Sequence, residues 1–300
     1  MKKSEYYIVI FLFVLIILIA THFKEVTSIT ARTFNMTPKV LVPEKNEYAL
    51  DKDYLYVQKT DSFIPYNRQD IMNILYTIFD NGYTSFTFYC PKEYTSCEED
   101  IDLIGNDQNI VTSIGNFVHP YNNFVNLKVV TDSFGKIDVE VTKMYSDDQI
   151  SFVNSKVDEL LNEIDSNLSV EQKVRLIHDK IIERTEYDLK GMEEYGNAYK
   201  LFYDNKSKCS GYADALAIVL DKLNVPNYKV ASDKHVWNGV YLNGKWHHID
   251  LTWDDPITEN KHLITEEVSH KFYMVDTNTL LLNDNTEHNF DDKIYKEMIN

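Results

Sequence analysis

Asn243-Gly244 stands between two alternating stretches, 235–242 and 245–252, and reads as the two-residue turn of a β-hairpin. A type I′ turn needs positive φ at both central residues, which asparagine and glycine tolerate best. So short a loop also dictates the register. Leu242 faces Lys245, hence Trp237 faces Asp250 and His235 faces Thr252. Side chains alternate across a sheet, so His235, Trp237, Gly239 and Tyr241 share a face with Trp246, His248, Asp250 and Thr252. His247 turns to the other face with Val236, Val240 and Ile249. His235 and Asp250 become diagonal neighbours, roughly 5.5–8 Å apart at Cβ, near enough for a carboxylate to hold an imidazole nitrogen.

Upstream, Lys208-Cys209-Ser210-Gly211-Tyr212-Ala213-Asp214-Ala215 leads into Leu216, Leu220 and Leu223, and Asn224-Val225-Pro226 ends the run. Cys209, Ala213, Leu216 and Leu220 fall at helical spacing, which puts the thiol on the buried stripe at the helix start. The dipole and free amides of that end favour thiolate and can bind an oxyanion. A buried cysteine is more often a small apolar filler. The downstream pair changes that balance: a thiol, a histidine to take its proton and a carboxylate to fix the tautomer form the arrangement for acyl transfer. Zinc is the competing use of Cys209, His235, His247, His248 and Asp254. No C-x-x-C or H-x-x-x-H pairs them, and Cys90 and Cys97 have the wrong spacing, so no metal or other cofactor is expected.

KCSGYADALAIVLDKLNVP followed by KHVWNGVYLNGKWHHIDLTWDDP resembles the transglutaminase-like superfamily, over about residues 166–276. HDKIIERTEYD, His178 to Asp188, and the Ala198-Tyr199 approach resemble its upstream helix. The resemblance implies an α+β, papain-like, transglutaminase-type domain in which the cysteine helix packs on an antiparallel sheet. It assigns Cys209 as nucleophile, His235 as base and Asp250 as orienting carboxylate, with Tyr187 or Tyr199 as a second oxyanion donor. His178, beside the apolar stripe of its helix, reads as structural, and Trp237, Trp246 and Trp253 as core or site walls. The function implied is thiol-dependent acyl transfer on amide bonds of proteins or peptides at the cell surface, either peptidase/deamidase or transglutaminase. The alternative is a non-catalytic surface module that keeps the fold for binding or assembly.

Elsewhere the chain divides by pattern. Tyr6 to Ala20 is apolar and the uncharged run reaches Phe23, about 27 Å of helix, so residues 1–23 read as an uncleaved signal anchor that spans the membrane. The remainder would then be extracytoplasmic, or secreted if cleavage falls at Val26-Thr27-Ser28. Residues 24–45 read as a stalk and 46–145 as a smaller α/β domain. In the latter, Ile71, Ile74, Leu75 and Ile78 lie on a helix stopped by Asp80-Asn81-Gly82, Tyr83 to Cys90 is a strand, and a hairpin turns at 132–135 between Val125, Leu127, Val129 and Ile137, Val139, Val141. Two capping boxes, Ser146–Gln149 and Ser169–Gln172, open a connector helix over 146–165 and the first helix of the 166–276 domain; 277–300 is a C-terminal tail. An oxidising exterior predicts a Cys90–Cys97 disulfide with Cys209 free. A net charge of −17 without a basic run argues against nucleic acid as a partner. Four arginines among 30 basic residues suggest the A/T-rich codon usage of a low-GC bacterium.

Overall fold

The computed structural model describes residues 3–22, 39–132, 135–190, 192, 196–255 and 268–299. The first helix, α1 (Lys3–Thr21), exposes the apolar side chains from Tyr7 to Ile19. Lys3, Ser4 and Glu5 occupy its first turn, so its uncharged part, 6–21, is about 24 Å long, short of a hydrocarbon core of about 30 Å. Among the described residues no helix is long and apolar enough to cross a membrane, so the anchor expected over 1–23 is not supported. The cleavage position 26–28 and most of the expected stalk lie outside the described residues, as does 133–134 within the expected hairpin turn.

Asn67 caps α2 (Arg68–Asp80) by accepting the Asp70 amide, and the helix buries Ile71, Ile74, Leu75 and Ile78. Gly82, at φ +69°, then turns the chain into β1 (Ser85–Tyr89). After α3 (Cys97–Asn106) and α4 (Gln108–Gly115) come β2 (Phe124–Thr131) and β3 (Lys136–Lys143), giving an antiparallel sheet in the order β1-β3-β2. Cys90 and Cys97 are disulfide-bonded with Cα atoms 5.8 Å apart, which ties the end of β1 to the start of α3. Val125 departs from its expected face. A register shift between Phe124 and Asn126 adds a bulge, and Val125 is 64% exposed while Leu127 and Val129 pack inward.

Both capping boxes form, at Ser146 before α5 (Asp147–Asn162) and at Ser169 before α6 (Val170–Arg184). β4 (Glu186–Tyr187) pairs in parallel with β5 (Lys206–Ser207) across α7 (Ala198–Asp204), and β5 delivers the chain to α8 (Cys209–Lys222). A second antiparallel sheet follows, β6 (Asn227–Ala231), β7 (Val236–Leu242) and β8 (Lys245–Ile249), then the short α9 (Leu251–Asp254) and α10 (Thr277–Asn283). Its hairpin has the expected register, Leu242 opposite Lys245 through Asn238 opposite Ile249. Asn243 and Gly244 adopt φ of 54° and 84°, as a type I′ turn demands.

This sheet is covered on both faces. Val240 and Ile249 pack with Leu216, Val219 and Leu220 of α8. On the opposite face Tyr228, Val230 and Trp237 join the core of the N-terminal region, with Tyr228 meeting Tyr54 at 5.4 Å and Phe117 at 4.9 Å between ring centroids. Region 46–145 therefore does not close its core on itself. The expected tail is also built in: Tyr295 and Met298 are buried in the same cluster, and a Cβ on Gly239 would sit 2.8 Å from Met298 Sδ. A buried ion pair, Lys229 Nζ to Asp214 Oδ1 at 2.6 Å, locks α8 to β6, and the Tyr145 hydroxyl donates to Asp214 Oδ2 at 2.6 Å.

Candidate active site

The thiol is placed by a crowded approach. Tyr187 pairs with Ser207 across β4 and β5, and two residues later Cys209 opens α8, half-buried and free. At Gly211 a Cβ would lie 1.9 Å from Ser207 Oγ and 2.8 Å from the Asn197 carbonyl, so glycine is what lets the helix begin this close to 197–207. The Gly211 and Tyr212 amides donate to Lys208 O, and the Cys209 amide heads the helix with no earlier turn to receive it.

His235 precedes β7 and Asp250 follows β8, so both sit at the end of the hairpin remote from its turn. The register brings them together: His235 Nε2 donates to Asp250 Oδ2 at 2.6 Å, with both side chains buried. Cys209 lies near enough to the same imidazole to act on its charge. His235 is thus paired with Asp250, and Cys209 is its neighbour. Burial works against charge on His235, but the Asp250 charge and hydrogen bond, and then Cys209, push it up to about 10. Burial would raise the Asp250 carboxyl, yet the His235 charge and hydrogen bonds from His235 and His288 hold it well below the usual carboxylate range. Its other oxygen, Oδ1, caps α9 by accepting the Thr252 amide at 2.8 Å and the Trp253 amide at 3.3 Å.

Aromatic rings fix the imidazole. Trp237 stacks on His235 with centroids 5.7 Å apart, and its indole N–H donates to His248 Nδ1 at 2.9 Å. Accepting at Nδ1 leaves His248 to donate from Nε2 to Thr277 Oγ1, and burial pushes its pKa down to about 3. His247 lies on the other face, with Nδ1 3.2 Å from Met274 O. Trp253 is exposed beside His235, at 6.4 Å between centroids. Of the two tyrosines, Tyr187 is the one near the thiol: burial first, then the Cys209 charge, raises its hydroxyl to about 12. Tyr199 instead stacks on Tyr203 and meets Phe152.

His178 is fully buried, with Nδ1 2.8 Å from Asp179 Oδ1 and Nε2 3.3 Å from Asp254 Oδ2; Asp254 also accepts the Phe272 amide. His178 is thus buried between Asp179 and Asp254, although among the described residues its Nε2 makes no hydrogen bond. Among the described residues His178, Asp179 and His270 have donor atoms close enough to share a cation, but His270 Nε2 already lies 2.6 Å from Asp179 Oδ1. Two residues of the site are invisible in the motifs. His288 Nε2 lies 2.8 Å from Asp250 Oδ2, and Asp284 holds the other nitrogen of that ring at 2.9 Å. Both belong to the segment read as a tail, and their one sequence mark, a four-residue spacing, is too common to carry a signal.

Residues 158–251 match the family model described as Transglutaminase-like superfamily. The match begins within α5, ahead of the expected residue 166, and ends one residue past Asp250. Among curated proteins the chain is similar to Kyphoscoliosis peptidase of Mus musculus, 27% identical over 159 residues, covering 46% of this chain and 24% of that protein. It is also similar to Kyphoscoliosis peptidase of Homo sapiens, 25% identical over 176 residues, covering 52% of this chain and 26% of that protein. The chain thus spans about a quarter of the length of these curated relatives. A solved structure titled as the crystal structure of a TGase aligns with a TM-score of 0.34 and 17% identity, over 50% of this chain and 49% of that one.

Proposed function

With residues 158–251 belonging to the transglutaminase-like superfamily, we propose that this chain is a thiol enzyme that transfers the acyl group of a protein or peptide amide through Cys209, His235 and Asp250. One observation carries the reading: a single buried imidazole is hydrogen-bonded to Asp250 and lies beside a cysteine at a helix N-terminus, near enough for the thiol to act on its charge. In the proposed course the Cys209 sulfur attacks the amide carbon while His235 holds the thiol proton. The oxyanion that forms takes the Cys209 amide at the head of α8 and the Tyr187 hydroxyl. The C–N bond then breaks, His235 gives its proton to the departing amine, and an acyl-thioester remains. A water molecule, deprotonated by His235, attacks that thioester; the acid is released and the thiol restored. An amine in place of water yields a new amide by the same steps. The name peptidase borne by the mouse and human relatives favours water.

The Cys90–Cys97 disulfide supports an oxidising, extracytoplasmic place of work. The test is mass spectrometry of peptides incubated with the protein and a tagged primary amine. Cleaved or deamidated products mean hydrolysis, and tag incorporation means transamidation. Neither product, together with a Cys209 no more reactive than a free thiol, refutes the enzyme reading in favour of a binding module.

A further inference from the structure

We propose that His288, anchored by Asp284, is the positioning residue that locks Asp250 against His235. The inference rests on reading Cys209, His235 and Asp250 as one unit. His288 lies 38 positions beyond Asp250 and is wholly buried. It reaches the same carboxylate oxygen as His235, at 2.8 Å against 2.6 Å. Asp284 is a well-made acceptor behind it, taking the amides of Thr286, Glu287 and His288 as well as the Thr286 hydroxyl. A ring with one nitrogen against each of two carboxylates bridges them and is held in one orientation. Phe272 stacks on that ring at 5.0 Å, and Trp237 and Trp253 meet its edges at 4.8 and 5.1 Å.

The consequence is positional. Backbone amides hold Asp250 Oδ1 but do not by themselves stop the carboxylate turning about its last bond. A second contact on Oδ2 removes that freedom, so His235 meets a carboxylate already set to receive Nε2, which leaves its other nitrogen to serve Cys209. The same segment also grips the His235 loop: Ser232 Oγ donates to the Glu287 carbonyl and accepts the His235 amide. The charged or titratable groups facing His288 are Asp250, Asp284, His235 and His248.

The experiment measures the rate of Cys209 alkylation by iodoacetamide in the full chain, with thermal melting as a check of folding. His288→Leu keeps apolar bulk without a donor, whereas His288→Gln keeps an N–H for Asp250. The expected result is a loss on the order of ten-fold for His288→Leu, with His288→Gln within about three-fold of the parent chain. In an Asp250→Ala background His288→Leu should cost nothing further, because it acts through Asp250. Equal rates for the Leu and Gln variants, or the same loss with Asp250 absent, overturn the proposal. If His288→Leu fails to fold, Asp284→Ala takes its place with the same expectations. His235→Ala separates the two levels. If it alkylates at the parent rate, the triad reading falls and this inference with it. If it is slow while His288→Leu is not, this inference alone is wrong.

Discussion

Replacing Lys229 with methionine removes the cation from a carboxylate that has nowhere else to turn. Asp214, 1% exposed in the middle of α8, is left with the Tyr145 hydroxyl alone, and that hydroxyl also accepts the Ala198 amide at 2.8 Å. Breaking a buried pair by deleting one partner costs about 3–5 kcal/mol, since the remaining charge stays desolvated. In a chain of this size that is a fall in melting temperature on the order of 10 °C. Urea unfolding at neutral pH measures it. The pair Lys222 Nζ–Asp158 Oδ1 is solvent-exposed and serves as the control, so Lys222→Met should stay within about 0.5 kcal/mol of the parent. The double change Lys229→Met with Asp214→Leu should recover most of the loss, because no stranded charge remains. A Lys229→Met chain within about 1 kcal/mol of the parent, or a double variant no better than the single one, would show that the pair does not hold α8 on the sheet.

Three further outcomes are expected. The His235 pKa is raised on folding to about 10, so its contribution to stability is complete below the ordinary histidine value of about 6.5 and lost as pH rises through about 10. The stability gap between the parent and His235→Gln should therefore be widest in mild acid and close toward pH 10; a gap constant across that range contradicts the assignment. Changing Cys90 and Cys97 to serine should cost about 2–3 kcal/mol from the short loop their bond closes, and peptide mapping without reductant should find them joined and Cys209 free. Deleting residues 3–22 should leave the melting temperature unchanged within about 1 °C, because the described side chains of α1 are exposed; a clear fall would mean the helix packs on the fold.

The second sheet and its helix were legible because each rests on local rules. Asn243-Gly244 sets a turn, the turn sets a register, and alternation then puts His235 beside Asp250 and His247 on the far face. Capping at Ser146 and Ser169 is equally local, one side chain and one amide three residues on. What escaped notice depends on long-range packing. The bulge that turns Val125 outward leaves no trace in an apolar alternation that looks unbroken. The sheet reads as covered by α8, and nothing in the pattern says that Tyr54 and Phe117 cover its other face. His288 was missed for the same reason: an irregular segment has no period, so a residue that reaches the site from one cannot be placed by spacing. The N-terminus shows the opposite fault: apolarity suggests a span, yet among the described residues no helix is long and apolar enough to cross a membrane.

Acyl transfer to Cys209 is tested most directly with an activated ester, p-nitrophenyl acetate, read by stopped-flow absorbance and by the mass of the quenched protein. A burst of about one equivalent of nitrophenolate is expected, with one acetyl group on Cys209 and none in Cys209→Ala. His235→Ala and Asp250→Asn should slow the burst by a factor on the order of 10²–10⁴, while His247→Ala, on the opposite face of the hairpin, should remain near the parent rate. Acetylation of Cys209 at one common rate in the His235→Ala, Asp250→Asn and His247→Ala chains would mean that His235 and Asp250 do not activate the thiol.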